Sequence, residues 1–247
     1  MISVCIATFN GERYIKAQIE SILSQLAQTD EIIISDDCSN DNTLSIINDI
    51  NDKRIKIITH KREFIKKHHA NGYYCSNNFA NAINNAKGDY IFLADQDDIW
   101  YEGKVKKVLE ELQKSDLCFS NFSIIDQDKN IMEKIHFKEN PITKNWFYNF
   151  NKNVFFGCCM AFKKDCIKDF MPIPITIPSY DTWIGTVLYF RKKKISFIME
   201  PLVFYRRHNS NVSQATCKSK NSIYFKIFWR IQFLVELIKY LKNIKGE

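Results

Sequence analysis

The sequence predicts an α/β fold in which a mostly parallel sheet is flanked by helices. In the first half of the chain, short apolar runs alternate with longer segments whose apolar residues recur at helical spacing. This alternation is typical of parallel strands joined by right-handed helical crossovers. The 247 residues include only 7 Gly and 5 Pro, which disfavours sandwiches and propellers because those folds need many tight turns.

Four apolar runs in this half predict buried strands, and the segments between them predict helices. The strands are expected at Ile2 to Ala7, Glu31 to Ser35, Arg54 to Thr59 and Tyr90 to Ala94. The helices are expected at about Arg13 to Gln25, Leu44 to Ile50 and Phe79 to Ala86. Ligands of such sheets bind beyond the carboxyl ends of the strands, so the turns that follow these runs are the first candidates for a site.

The second half is less regular. Its predicted elements are a helix from Gly103 to Gln113, a strand from Leu117 to Phe122, a loop or short helix over Lys138 to Lys152, a strand from Val154 to Phe162, a helix from Asp181 to Phe190 and closing strands at Ile195 to Met199 and Leu202 to Tyr205. No internal repeat or low-complexity linker marks a boundary. We expect one domain over residues 1–217, with halves that meet near residue 122, and a tail at residues 218–247.

The cysteines and the first residues predict a cytoplasmic protein. The eight cysteines include no CxxC pair and no spacing typical of a zinc site. They are therefore expected to be free thiols of a reducing compartment. The apolar run that begins at Ile2 has no cationic segment before it, unlike a secretory signal.

The tail carries most of the net charge of +7. From Lys218 to Lys245 there are seven Lys or Arg and one acid, Glu236, among many large apolar residues. These charges disfavour a transmembrane span and favour an amphipathic helix that lies on an anionic membrane surface. The alternative is a helix packed on the rest of the chain or on a second copy in a homodimer. Nucleic acid is not an expected partner, because the segment is too apolar to track phosphates.

Acidic turns follow two of the predicted strands. Asp95-Gln96-Asp97-Asp98 places three carboxylates within four residues, which repel one another unless a cation joins them. Carboxylate oxygens suit Mg²⁺ or Mn²⁺, whereas the alternative is a solvated turn in which Asp97 or Asp98 caps a helix that includes Trp100. Asp36-Asp37 could accept hydrogen bonds from a base or a ribose, although such a pair also forms ordinary turns.

Four blocks of the first half, in order, resemble those of family 2 glycosyltransferases with the GT-A fold. They are Val4 to Gly11, Ile32 to Thr43 (IIISDDCSNDNT), Asn78 to Ala82 and Lys87 to Trp100. Three looser blocks, Phe155 to Phe162, Tyr180 to Ile184 and Tyr205 to Ser213, resemble the branch of this family that makes bacterial O-antigens and capsular polysaccharides. The resemblance implies a nucleotide-binding half over about residues 1–122 and an acceptor-binding half over about residues 123–217.

The resemblance also implies which residues bind the nucleotide-sugar donor. They are Thr8, Asn10, Asp36, Asp37, Asn78, Asp95, Lys104, Arg206 and Arg207. The sequence leaves open which of Asp36 and Asp37 contacts the base or ribose. Asn78 and Lys104 have alternatives as a helix N-cap and an exposed lysine. The cations would neutralise the charge of a diphosphate leaving group.

A metal ion and a catalytic base complete the site that the resemblance implies. Asp95 and Asp97 would be the acids of the DxD motif that bind Mn²⁺ or Mg²⁺, with His208 either a further metal ligand or part of a basic surface turn. Asp181 matches the catalytic base of inverting members and would take the proton of the acceptor hydroxyl as its oxygen attacks the sugar. The pair Tyr180-Asp181 stands where His-Asp is common in the family.

The expected function is therefore inverting transfer of one sugar from a UDP- or dTDP-sugar to a hydroxyl of a glycan in bacterial surface polysaccharide synthesis. An acceptor carried on a polyprenyl diphosphate at the inner face of the cytoplasmic membrane would explain the basic tail. Trp146, Phe147, Tyr148 and Phe150 could stack on acceptor sugars or belong to the core. The alternatives are a sugar-nucleotide-binding subunit without activity and a nucleotidyltransferase, whose usual Gly-rich basic loop is missing at Thr8 to Gly11.

Overall fold

The computed structural model describes residues 1–61, 70–208, 211 and 223–244. Its strands are β1 (Ile2–Thr8), β2 (Glu31–Asp36), β3 (Ile55–Thr59), β4 (Tyr90–Asp95), β5 (Ile99–Trp100), β6 (Leu117–Ile125), β7 (Ile131–Glu133), β8 (Met160–Lys163) and β9 (Ile195–Arg206). Its helices are α1 (Ile15–Leu23), α2 (Thr43–Asp49), α3 (Ala70–Asn84), α4 (Lys104–Leu112), α5 (Trp146–Lys152), α6 (Ile167–Phe170), α7 (Tyr180–Phe190) and α8 (Ile223–Ile244). Cys217, the first residues of the predicted tail and parts of the block that ends at Ser213 lie outside the described residues.

The described strands form one sheet in the order β3-β2-β1-β4-β8-β6-β9-β5, and β7 pairs with β6. β1 is parallel to both β2 and β4, and β2 is parallel to β3. The predicted parallel half is therefore confirmed. In the second half β8 is antiparallel to β4 and β6, while β6 and β9 are parallel, so the complete sheet is mixed and contains strands from both halves of the chain.

The central strands are buried on both faces. All residues of β2 and β6, and all but one of β1, are buried. Helices pack on both sides of a parallel sheet, which is why β1 and β2 are largely continuous apolar runs rather than alternating ones. This burial holds the carboxyl ends of β1, β2 and β4 at a fixed edge.

Three expectations for the segments that follow β4 are wrong. Only Met160–Lys163 of the predicted strand from Val154 to Phe162 pairs with the sheet, and a 3₁₀ turn, Gly157–Cys159, precedes it. The two closing strands are one strand, β9, whose register against β6 shifts on both sides of Asn121. Trp100 lies in β5, which pairs with β9, rather than in a helix.

The predicted C-terminal helix is present as α8, and one face of it packs on the rest of the chain. Phe233 and Leu237 are buried, and the ring of Phe233 lies 4.7 Å from that of Phe150 and 5.6 Å from that of Trp183. The Tyr240 hydroxyl donates to a main-chain oxygen of the body at 2.6 Å. Within the described residues, no helix has both the length and the hydropathy needed to cross a membrane.

The opposite face of α8, which we call the outer face, exposes large apolar side chains. Its members are Ile223, Tyr224, Ile227, Phe228, Ile231, Val235 and Ile238. Four of them follow one another at intervals of four residues, which is the spacing of one helical stripe. The face of α8 that carries Phe233 and Leu237 packs on the rest of the chain, as the alternative predicts. This packing does not explain the exposed apolar residues of the outer face.

Candidate active site

The polar turns predicted from separate strands meet at one edge of the sheet. In the β1–β2 register Thr8 lies opposite Asp36, and in the β1–β4 register Ala7 lies opposite Asp95. Neighbouring strands are about 4.8 Å apart. The turns that follow β1, β2 and β4 are therefore adjacent, as expected for the ligand-binding edge of a parallel sheet.

The turn after β1 is held by Gln96. Its side-chain oxygen accepts hydrogen bonds from the Thr8 hydroxyl at 2.8 Å and the Phe9 N–H at 3.0 Å, and its amide donates to the Phe9 carbonyl at 3.2 Å. Asn10 has a φ of 49°, and its N–H donates to the Ser39 hydroxyl at 2.9 Å. Thr8 and Asn10 thus lie at the sheet edge and tie neighbouring turns together.

Asp36 and Asp37 are both buried, but they have different partners. The two oxygens of Asp36 accept hydrogen bonds from the Ser39 N–H at 2.8 Å and the Ser39 hydroxyl at 2.6 Å. One oxygen of Asp37 lies 2.9 Å from Nδ1 of His60. Asp36 therefore builds the turn by an Asx-type contact, while Asp37 is oriented by the residue that follows β3.

Asp97 and His208 are brought together although 111 residues separate them. An oxygen of Asp97 lies 2.8 Å from Nε2 of His208 and accepts a hydrogen bond from the Asn211 amide at 3.1 Å. The His208 ring packs beside Tyr14, with centroids 4.8 Å apart, and the His208 side chain is only 10% exposed. His208 is thus not part of a basic surface turn, and it offers an imidazole nitrogen beside a DxD carboxylate.

Asp95 and Asp98 lie close to Cys158. One oxygen of each acid and the Cys158 sulfur all lie within 4.8 Å of one another. The second oxygen of Asp98 is buried, and no other described residue bonds to it. Burial, followed by the charges of Asp97 and Asp181, raises the pKa of Asp95 to about 8. Carboxylates crowded in this way ionise fully only when a cation shares them, so the donor set fits a divalent metal ion.

Arg206 lies under the acidic turn and is 1% exposed. Its N–H donates to the Asp98 carboxylate at 2.9 Å, its Nε donates to the Asp97 carbonyl at 2.8 Å, and its guanidinium lies 4.8 Å from the centre of the Tyr14 ring. The main-chain N–H of Arg206 therefore pairs with Asp98, while its side chain holds the main chain of the acidic turn. Asp97 and Asp98 do not cap a helix, so that alternative is wrong. Arg207 is partly exposed and is held through its N–H by the carbonyl at the end of β6 at 2.8 Å.

The alternatives for Lys104 and Asn78 are also wrong. Lys104 is fully buried rather than exposed, its Nζ donates to the Cys158 carbonyl at 3.1 Å, and it lies 4.5 Å from the centre of the Trp100 ring. Burial lowers the pKa of Lys104. Asn78 lies within α3 instead of at its start, and its amide donates to the Thr8 carbonyl at 3.2 Å. Both side chains support the site from behind.

Asp181 lies in the first turn of α7 and is held by hydrogen bonds. One of its oxygens accepts hydrogen bonds from the Ser179 hydroxyl at 2.6 Å and the Thr182 N–H at 2.7 Å, and the other accepts the Gly157 N–H at 3.2 Å. Burial raises the pKa of Asp181. Its charge is near enough to contribute to the raised pKa of Asp95. The arrangement is an oriented carboxylate whose charge acts on the acids that follow β4.

The aromatic residues of α5 separate into two environments. Phe150 is buried and contacts α8, and Trp146 packs on Phe190 with centroids 5.3 Å apart. Phe147 and Tyr148 are 55% and 46% exposed. The core interpretation therefore holds for the first pair, while only the second pair is available to stack on a sugar.

Three polar residues of the site were not predicted. Gln96 orders the turn after β1, and Tyr14 packs beside His208 and Arg206. Gln18, on α1, donates to the Asp95 carbonyl at 2.8 Å and is fully buried. A polar residue inside an otherwise apolar helical stripe was the signal that could have found Gln18.

Comparison with known proteins identifies the family of the chain. The chain matches the family described as Glycosyl transferase family 2 over residues 3–170. It is 26% identical to the putative teichuronic acid biosynthesis glycosyltransferase TuaG of Bacillus subtilis over 98% of this chain and 95% of that protein. It is 38% identical to the Escherichia coli UDP-Glc:alpha-D-GlcNAc-diphosphoundecaprenol beta-1,3-glucosyltransferase WfaP over 50% of this chain and 47% of that protein.

The fold is similar to that of a crystal structure of S. aureus TarS 1–349 in complex with UDP-GlcNAc. The TM-score is 0.66 at 17% identity, and the match covers 88% of this chain and 61% of the solved one. The chain therefore spans about three fifths of that structure, and the expected GT-A fold is confirmed. Because the family match covers well over half of the residues, the chain belongs to glycosyl transferase family 2.

Proposed function

We propose that this protein is a metal-dependent, inverting glycosyltransferase that moves a sugar from a UDP- or dTDP-sugar to a hydroxyl of a lipid-linked glycan in bacterial surface polysaccharide synthesis. The observation that carries the proposal is Asp181, which has both oxygens held by hydrogen bonds and a charge that acts on Asp95 of the turn after β4. The names of TuaG and WfaP support the substrate class, and TarS supports a nucleotide-sugar donor, since its structure holds UDP-GlcNAc.

The nucleotide would lie along the carboxyl edge of β1, β2 and β4. Asp36 or Asp37 would contact the base or ribose, with Asp36 oriented by Ser39 and Asp37 by His60. Thr8 and Asn10 would line the same edge, where hydrogen bonds to Gln96 and Ser39 fix their backbone. A pocket whose polar groups are already oriented binds a nucleotide with less loss of entropy.

The diphosphate would lie over the acidic turn. Asp95, Asp97 and His208 would hold the divalent cation, which supplies positive charge where the departing diphosphate carries negative charge. Lys104 and Arg206 stay beneath the turn, where the charge of Lys104 partly offsets the repulsion at Asp95 and the Arg206 guanidinium holds the Asp97 carbonyl. Both buried cations donate hydrogen bonds, which offset part of the cost of burying their charge.

Asp181 would act as the general base. The acceptor hydroxyl gives its proton to the Asp181 carboxylate while its oxygen forms the new bond to the anomeric carbon. The electron pair of the old bond leaves with the nucleoside diphosphate. The hydrogen bonds from Ser179 and Thr182 orient the carboxylate, and its raised pKa makes it a stronger base than an exposed carboxylate. The displacement is a single step and inverts the configuration of the sugar.

A transfer assay over a panel of donors tests this function. The purified protein is incubated with UDP- or dTDP-sugars, Mn²⁺ or Mg²⁺, and a GlcNAc-diphosphate-lipid acceptor, and both the released nucleotide and the mass of the product are measured. We expect one donor to be consumed only when metal and acceptor are present. Nucleotide binding without turnover of any donor would indicate a non-catalytic subunit. Synthesis of a nucleotide sugar from a nucleoside triphosphate and a sugar phosphate would indicate a nucleotidyltransferase.

We further propose that the outer face of α8 lies on the cytoplasmic face of an anionic membrane, where a lipid-linked acceptor would be presented. Ile223 and Ile231 are 76% and 55% exposed, and a continuous apolar stripe of this kind marks an interaction site. The exposed Lys239 and Lys242 follow the stripe on the same helix, where they could meet lipid phosphates. Apolar side chains flanked by cations are typical of interfacial helices.

Two charges on the outer face are expected to prevent membrane binding. The variant I227D/I231D should lose most of its co-sedimentation with vesicles that contain phosphatidylglycerol, because each aspartate would have to enter the apolar layer. UDP binding should be unchanged. The control is Ile175→Asp, which changes an apolar residue that is 62% exposed and lies outside α8. If vesicle binding persists and the variant instead loses a dimer seen by analytical ultracentrifugation, the outer face binds a second copy and the membrane proposal is wrong.

A further inference from the structure

Tyr180 is the residue next to the proposed base and has no role in the proposed sugar transfer described so far. Its ring is stacked on Phe79 of α3, with centroids 4.1 Å apart and planes at 23°. Its N–H donates to the Ser76 hydroxyl at 3.1 Å. The residue is 7% exposed. Two contacts with α3 therefore fix both the ring and the backbone that carries it.

The Tyr180 hydroxyl lies beside the segment that contacts both the proposed base and Asp95. A Cβ atom at Gly157 would be 2.0 Å from the hydroxyl oxygen, so this oxygen lies directly against the Gly157 α-carbon. The Gly157 N–H donates to Asp181 at 3.2 Å. The next residue, Cys158, has its sulfur within 4.8 Å of an Asp95 oxygen. Glycine at position 157 is what leaves room for a hydroxyl at this point.

This hydroxyl is an available hydrogen-bond donor. Within the described chain the side chain makes a ring contact, and no protein group accepts a hydrogen bond from its oxygen. The hydroxyl oxygen is also not sealed from solvent. Burial, followed by the charge of Asp95, raises the pKa of Tyr180 well above its ordinary value, so the group keeps its proton at neutral pH.

We propose that the Tyr180 hydroxyl donates a hydrogen bond to an oxygen of the sugar being transferred and so places the anomeric carbon in line with Asp181. The inference rests on the proposed function. A sugar that displaces water from this hydroxyl must supply an acceptor oxygen, because a buried donor without a partner is costly. Tyr180 would therefore discriminate between donor sugars by the presence of that oxygen. The nucleoside diphosphate alone, which lacks the sugar, would not use this contact.

The test compares Tyr180→Phe with the wild-type protein. Phenylalanine keeps the stacked ring and removes only the hydroxyl, and thermal unfolding checks that the fold is kept. The probes are the UDP- or dTDP-sugar that the wild-type protein consumes and the matching free nucleoside diphosphate. We expect affinity for the nucleotide sugar to fall about tenfold, kcat to fall as well, and affinity for the free nucleotide to stay within about twofold. The control is Tyr189→Phe on the same helix, whose hydroxyl donates to the Lys144 carbonyl at 2.7 Å.

Deoxy donors separate a contact with the sugar from a structural effect. If the hydroxyl binds one sugar oxygen, the donor that lacks this oxygen should show the same kinetics with the wild-type protein and with Tyr180→Phe. The proposal is overturned if Tyr180→Phe lowers the affinity for the nucleotide sugar and for the free nucleotide equally, or lowers neither affinity. It is also overturned if the wild-type protein and Tyr180→Phe differ as much with every deoxy donor as they do with the complete donor. A wild-type protein that neither binds nor turns over any nucleotide sugar would instead overturn the proposed function.

Discussion

Asp181→Asn is expected to lower the rate of sugar transfer about 10³-fold, within the usual range for loss of a general base. Asparagine has nearly the same shape and retains an oxygen that can accept the Ser179 and Thr182 hydrogen bonds. It cannot take the acceptor proton. Affinity for the nucleotide sugar should stay within about twofold, since the base acts on the acceptor. Single-turnover transfer and isothermal titration measure the two quantities separately.

The pH dependence of this variant gives an independent check. Burial raises the pKa of Asp181 above the ordinary value of about 3.9. Because a base works only in its deprotonated form, the wild-type rate should be highest above this raised pKa and should fall as the pH drops through it. Asp181→Asn should lack this acid limb, while Asp165→Asn, an exposed acid outside the site, should keep both rate and limb. A fully active Asp181→Asn protein would show that another group accepts the proton.

Asp97→Asn is expected to remove the effect of divalent metal on nucleotide binding and to lower transfer about 10²- to 10³-fold, as for the loss of one group that stabilises a developing charge. The wild-type protein should bind UDP or dTDP more tightly when Mn²⁺ is added. The variant should not, because the amide lacks the charge that makes the carboxylate beside His208 a good ligand. Titrations with and without Mn²⁺, and with a chelator, make the measurement.

The control for Asp97→Asn is an exposed aspartate outside the acidic turn. Asp128→Asn makes the same chemical change at an exposed position outside the acidic turn and should leave the Mn²⁺ effect intact. If Asp97→Asn responds to Mn²⁺ as the wild-type protein does, Asp97 is not a metal ligand. The neighbouring group of Asp95, Asp98 and Cys158 would then hold the cation.

The parallel half of the fold was predictable because its signals are local. The Ile-rich runs of β1 and β2 are buried on both faces. The helical spacing between them predicts a crossover helix and therefore a parallel pair of strands. The run from Val154 to Phe162 was misinterpreted because a buried turn and a buried strand are equally apolar. β5 and β7, with two and three residues, are too short to leave a pattern, and their pairing depends on distant strands.

The site was predictable only as far as the motifs reached. The acids at Asp36 and Asp95 follow strands, so their common edge could be inferred from the order of elements. Lys104 and Arg206 were expected near the donor, yet they are buried beneath the acidic turn. This could not be predicted, because the sequence does not show which cations lie below the turn. The position of the Tyr180 hydroxyl is set by a glycine 23 residues earlier and a ring on another helix, and no local pattern records such contacts.

A single displacement at the anomeric carbon, with Asp181 as the base, has one direct consequence for the product. The measurement is the anomeric configuration of the newly formed linkage, determined by NMR from the coupling constant of the anomeric proton in the purified product. The configuration should be opposite to that of the donor sugar, so that an α-linked donor gives a β-linked product. A product that retains the donor's configuration would contradict single displacement and the role of Asp181.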